Sequence, residues 1–169
     1  MTYRALNTLC VFFLFLSFML TGCEYQNDSK KIITEFTSDF TADYNEMTVK
    51  GTITINCQGL VDMNISYPKS LSSLQIGYKN SEVHILLDGL ECSADEAYLP
   101  SNSFASIVNG LFKELNRLNN TEILKESCCI NINVSDYLVI IDENGAVKEI
   151  KSSKGDFIIE FFNYKTLNE

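Results

Sequence analysis

From Met47 to Tyr67 nearly every second residue is apolar, and this alternation limits the fold more than any other feature of the chain. Met47, Val49, Ile53, Ile55 and Cys57 share one phase with Gly51, while Thr48, Lys50, Thr52, Thr54 and Asn56 share the other. Successive side chains of a strand point to opposite faces, so a period of two means one buried face and one wet face. Gln58-Gly59 reads as a tight turn, after which Val61, Met63, Ile65 and Tyr67 resume the pattern against Asp62, Asn64 and Ser66. Pro68 closes this hairpin. Leu74, Ile76 and Tyr78 predict a third strand and Val83, Ile85 and Leu87 a fourth, joined by a turn over residues 79–82. Strand character returns at Ile130, Ile132 and Val134, at Tyr137 to Ile141, at Val147 to Ile150 and at Phe157 to Phe162. Asp142-Glu143-Asn144-Gly145 is a further turn. Together these predict about six to eight antiparallel strands with one covered face.

One stretch has the helical period instead. Ser101 or Ser103 can cap a helix running to Leu118, on which Phe104, Ile107, Val108, Leu111, Leu115 and Leu118 form one stripe. Lys113, Glu114, Asn116 and Arg117 fall on its polar side. Ile32, Ile33, Phe36 and Phe40, spaced i, i+1, i+4 and i+8, predict a second, short N-terminal helix. A single apolar stripe and a one-faced sheet bury each other most economically by packing together. The expected fold is therefore α+β: a curved antiparallel sheet, an incomplete barrel, against one long helix and a short N-terminal one.

The N-terminus carries an address. Arg4 is followed by an uncharged apolar run from Leu9 to Leu20, then by Thr21, Gly22 and Cys23. That order is the order of a secretory signal, and Leu20-Thr21-Gly22-Cys23 resembles the lipobox of bacterial lipoproteins. It implies cleavage between Gly22 and Cys23 and attachment of diacylglycerol and palmitate chains to Cys23. Residues 1–22 are then a signal peptide, 23–31 the lipidated Cys and a polar tether, and 32–169 a single α+β domain. The expected location is outside the cytoplasm, held to a membrane by the anchor. After Cys23 no apolar run approaches the ~18 residues that a spanning helix needs.

Charge and composition exclude several classes. Formal net charge is −9, and removal of Arg4 with the signal makes it −10. Nucleic acid and anionic lipid surfaces both call for clustered Lys and Arg, so no nucleic-acid partner is expected. Cys57, Cys92, Cys128 and Cys129 remain in the exported part, an even number open to disulfides or to free thiols. They lack zinc-ligand spacing, and no metal or other cofactor is expected. The single His, His84, lies in phase with Leu86 and Asp88, opposite Val83, Ile85 and Leu87, so it reads as a solvent-facing strand residue. Asp95-Glu96 and Asp142-Glu143 read as turn residues. No catalytic residues are assigned, and the expectation is a protein that is not an enzyme.

The order of elements resembles the LolA/LolB-type lipoprotein carriers and their LppX/LprG-like relatives. Phe40-Thr41-Ala42-Asp43-Tyr44 with Val49-Lys50-Gly51-Thr52-Ile53 resembles that family's opening, Ile65 to Leu71 its Pro-containing strand exit, and Asp156 to Tyr164 its closing strand. The resemblance implies an incomplete barrel that holds acyl chains or another apolar ligand. Here such a ligand would lie between helix and sheet, lined by Val49, Ile53, Ile55, Met63, Ile65, Phe104, Ile107, Val108, Leu111 and Leu115. The alternative is an envelope lipoprotein whose core is filled by its own side chains and whose protein partner binds outside.

Overall fold

Ten strands and one long helix are built from the described residues, which are 32–56, 58, 60–79, 81–119 and 130–167 of a computed structural model. The predicted signal peptide with Gly22, Cys23, the tether to Lys31, and Cys57, Cys128 and Cys129 lie outside them. In chain order the elements are β1 (Phe36–Tyr44), β2 (Met47–Ile55), β3 (Val61–Tyr67), β4 (Gln75–Lys79), β5 (Glu82–Leu87) and β6 (Leu90–Asp95). Then come α1 (Phe104–Asn119), β7 (Ile130–Val134), β8 (Tyr137–Ile141), β9 (Val147–Ser152) and β10 (Phe157–Thr166). They form one open sheet of order β6-β5-β4-β3-β2-β1-β10-β9-β8-β7. Two meanders, β1 to β6 and β7 to β10, are thus joined where β1 pairs antiparallel with β10.

Two expectations are corrected. Phe36 and Phe40 belong to strand β1 and not to a short helix; Ile32 to Glu35 are not helical either. Positions 32, 36 and 40 fit a helical spacing, but they are also all even, and the even positions 34, 38 and 42 are buried as well. Ser38 can sit there because its hydroxyl donates to the Phe162 carbonyl at 2.6 Å. A buried hydroxyl with a partner costs little. The strand count also rises to ten, because β6 and β1 were not expected as strands.

The buried face alternates as expected, with Val49, Ile53, Ile55, Val61, Met63 and Ile65 all pointing inward. Three irregularities bend it. The pairing slips between Lys50 and Gly51, between Thr37 and Asp39, and between Ile140 and Ile141. At the first, a Cβ on Gly51 would lie 2.1 Å from the Asn64 carbonyl oxygen, so only glycine lets β3 approach this closely. At the second, Asn163 takes a positive φ of 54°, and both Phe161 and Tyr164 then reach the inner face. Bulges of this kind increase local bend and twist.

Helix α1 runs along β1 and β10. Phe104 at its start meets Phe40, Tyr44 and Phe157, and Phe112 two turns later meets Phe36 and Phe161. It nevertheless also contacts β3 on one side and β7 on the other. Those strands are six spacings apart, about 29 Å on a flat sheet, and a helix is only about 10–12 Å wide. The sheet therefore curls round the helix. Ser103 caps α1, its hydroxyl accepting from the Ser106 N–H at 3.3 Å.

The chain enters this fold beside the C-terminal half of α1. The Ile33 N–H donates to the Gly145 carbonyl at 2.8 Å, the Tyr164 hydroxyl donates to the Ile33 carbonyl at 3.1 Å, and Thr34 donates to the Asn116 side chain at 3.3 Å. Burial holds the Tyr164 phenol far above its ordinary pKa.

Candidate functional site

The space between helix and sheet is filled where the stripe is strongest. Phe36, Phe40, Phe112, Phe157 and Phe161 are buried there, in edge, tilted or stacked contacts with one another or with Phe104, ring centroids 5.5–6.1 Å apart. Of the ten residues expected to line a ligand, Val49, Ile53, Ile55, Met63, Ile65, Val108, Leu111 and Leu115 are buried in this core. Phe104 and Ile107 are partly buried at the helix start, where Ile107 faces a concavity of about 200 Å³ with Tyr44, Tyr137 and Phe157.

A larger opening lies on the flank, where α1 and the β4–β6 wall part. It is a groove of about 590 Å³. Tyr78 of β4 forms one wall and Ser106, Asn109, Gly110 and Lys113 of α1 the other. The turn after β6 closes the end. Asp95 caps that turn by accepting from the Ala97 N–H at 2.8 Å, and Glu96 accepts from Lys113 Nζ through both oxygens, at 3.1 and 2.8 Å. The groove therefore has a rigid rim tied to the helix. A Cβ added at Gly110 would meet nothing within 4 Å, so the helix leaves room at this point.

Two polar groups in the groove stand out. Tyr78 and Asn109 are each only 4 % exposed, and among the described residues the Asn109 carboxamide oxygen has no hydrogen-bond partner, while the Tyr78 hydroxyl has only the Ser106 side chain beside it. Burial pushes the Tyr78 phenol up; the Ser106 hydroxyl beside it opposes this without completing a bond of good geometry, and Glu96 adds to the rise. The sequence reading placed Tyr78 on a third strand and passed over Asn109. The helical period gave no signal for it: Asn109 lies four residues before Lys113 and seven before Asn116, on the side of the helix that reads as polar.

The other singled-out residues lie away from this groove or at its far side. His84 lies on the outer face, with Nδ1 2.7 Å from Ser93 Oγ and Nε2 3.7 Å from Glu82. Its neighbour Asp62 is raised by burial, which His84 partly offsets. Cys92 is an exposed free thiol on β6. Asp142 organises its turn, accepting from the Asn144 and Ala146 N–H groups at 2.9 and 3.0 Å. Among the described residues no three His, Cys, Asp or Glu side chains converge as a metal site would require, and no helix is long and apolar enough to cross a membrane.

No family model and no curated protein matches the chain. Among solved structures it is similar to a LolA superfamily protein from Nitrosomonas europaea, at 8 % identity and a TM-score of 0.42. The alignment covers 85 % of this chain and 90 % of that one.

Proposed function

We propose that this chain is a membrane-anchored, extracytoplasmic binding protein, tethered through lipid on Cys23, that holds a hydrophobic ligand with a polar end against the flank of α1. The observation that carries the reading is the groove of about 590 Å³ between α1 and the β4–β6 wall. Its size lies within the ~300–1,000 Å³ of small-molecule sites.

Gly110 gives the test. Gly110→Leu puts a side chain into open space, and a helical Gly replaced by Leu gains about 0.5–1 kcal/mol in propensity. We expect the variant to melt no lower than wild type while lipid co-purifying with the unacylated protein, read by native mass spectrometry, falls at least tenfold. Equal lipid in both would remove the groove from the function.

A second reading is favoured by the aromatic filling of the centre and by Tyr98, 84 % exposed beside the groove's end. In that reading the interior is purely structural and the same flank receives a protein partner. Absence of any lipid from wild-type extracts would select it.

A further inference from the structure

The sheet stays open among the described residues, and β6 is one of its two edges. An edge strand leaves a row of backbone N–H and C=O groups unpaired, and folds usually guard it with Lys, Pro, a bulge or an inward charge. Residues 90–95 read Leu-Glu-Cys-Ser-Ala-Asp, with neither Lys nor Pro, and they pair with β5 without a slip in register. Cys92 lies opposite Ile85 and Ala94 opposite Val83, so Leu90, Cys92 and Ala94 share the core face of the sheet. That row carries no charge. Its Leu90 is 77 % exposed, and the Cys92 thiol is free and exposed.

Two observations fix which backbone groups face outward. Asp88 and Gly89 take positive φ of 50° and 82°, a two-residue hairpin turn that makes Leu87 and Leu90 a hydrogen-bonded pair. In the same phase, the Glu96 N–H donates to the Ser81 carbonyl at 2.9 Å. Positions 90, 92 and 94 therefore bond to β5. Glu91 and Ser93 turn their N–H and C=O groups to the other side, where among the described residues no strand lies.

A second copy can add to this edge about a twofold axis, and an axis through a residue keeps core face beside core face. Centred on 91, it sets Glu91 against its own copy; centred on 93, it sets Glu91 against Asp95. Like charges directly opposite are destabilising. Centred on Cys92, Leu90 meets Ala94, Glu91 meets Ser93 and Cys92 meets itself, so no like charges are opposed.

We infer that β6 is a self-pairing edge, to which a second copy of this chain adds its own β6, antiparallel and in the register centred on Cys92. Glu91 and Ser93 exchange backbone hydrogen bonds across the axis in both directions, and Leu90 is covered. The two Cys92 residues become a non-hydrogen-bonded pair with Cα atoms about 4.5 Å apart, within the span of a disulfide. This surface is separate from the groove and does not depend on its ligand.

The test uses residues 23–169 with Cys23→Ser, which contain every described element. Sedimentation equilibrium in reducing buffer should show monomer and dimer in exchange. Glu91→Pro removes an outward N–H that β5 does not use, a position where an edge strand tolerates Pro. It should weaken self-association about 10- to 100-fold, the worth of two hydrogen bonds per dimer, at an unchanged melting temperature. Should that variant misfold, Leu90→Lys weakens the dimer through an exposed side chain that the monomer does not need. Mild oxidation with diamide should link the two Cys92 peptides, read by mass spectrometry. Moving the thiol one position, with Cys92→Ser and Ser93→Cys, should abolish that link, because position 93 faces 91. A chain that stays monomeric up to about 1 mM overturns the inference and leaves the edge to an extended segment of a different protein. A dimer that Glu91→Pro and Leu90→Lys both leave intact, or that links equally well through position 93, places the contact elsewhere and overturns it too.

Discussion

Single residues in this protein do work that their type alone does not announce, and Asp142 shows how charge enters. Burial alone would raise its carboxyl, but the N–H groups of Ala146 and Asn144 and the Lys148 ammonium at 3.4 Å outweigh it and hold the pKa below the ordinary value. A carboxylate so depressed favours the fold only when ionised. Its contribution is complete above the unfolded pKa near 3.9 and is lost as pH falls through the lower folded value. Asp142→Asn keeps an oxygen for both N–H groups and removes the charge. We expect it to lower the urea midpoint at pH 6 and to approach wild type as the pH falls through the depressed folded value. A gap that stayed constant between those pH values would show that the turn is held by shape and not by charge. The turn matters beyond itself, because the Gly145 carbonyl receives the Ile33 N–H and so fixes where the chain enters the domain.

At the scale of elements, the contact between α1 and the sheet is an aromatic one. Phe112 is fully buried and its ring meets both Phe36 and Phe161, at 5.5 and 5.8 Å. Phe112→Ala would leave a hole that neither the capped helix nor the bulged strands can close. The expected loss is about 3–5 kcal/mol, checked by equilibrium unfolding; a loss under ~1 kcal/mol would mean that the helix is only loosely seated. Much of this packing was legible in the sequence. The period of two from Met47 to Tyr67 marks β2 and β3 with their inward residues, and the helical stripe with Ser103 marks α1 to within a residue at each end. What was hidden has physical causes. Strand β1 was obscured because Thr34 and Ser38 look like wet positions until long-range partners, Asn116 and Phe162, satisfy their hydroxyls. Strand β6 is an edge whose side chains are mostly exposed, so it shows no apolar alternation. The filling of the interior was missed because Phe36, Phe161 and Phe112 come from three distant segments. The flank groove has the same cause: Tyr78 and Asn109 are 31 positions apart, and only the path of the chain from β6 into α1 makes them neighbours.

The whole molecule combines an acidic domain, a short tether and a proposed anchor, and the three together make a sharp prediction. The domain does not draw itself to an anionic bilayer by charge, since the chain's net charge is −9 and the polar segment from Glu24 to Lys31 carries only two Lys. Among the described residues no helix crosses a membrane. In the proposed reading attachment rests on Cys23, where two or more acyl chains, each methylene worth about 0.8 kcal/mol, would hold stably where a single chain would not. With the proposed anchor, eight residues reaching at most ~28 Å would keep the end of the fold near Ile33 and the C-terminal half of α1 close to the bilayer. Such an anchor is indifferent to ionic strength, because it acts through apolar burial. Wild type should therefore sediment with membranes in both low and high salt and incorporate a fatty-acid label. Cys23→Ala should incorporate no label, and should either appear in the soluble fraction or accumulate as the longer, uncleaved precursor. Release of wild type by salt alone would point to an electrostatic attachment that the acidic surface argues against. A label retained by Cys23→Ala would place the lipid elsewhere and remove the proposed tether at Cys23.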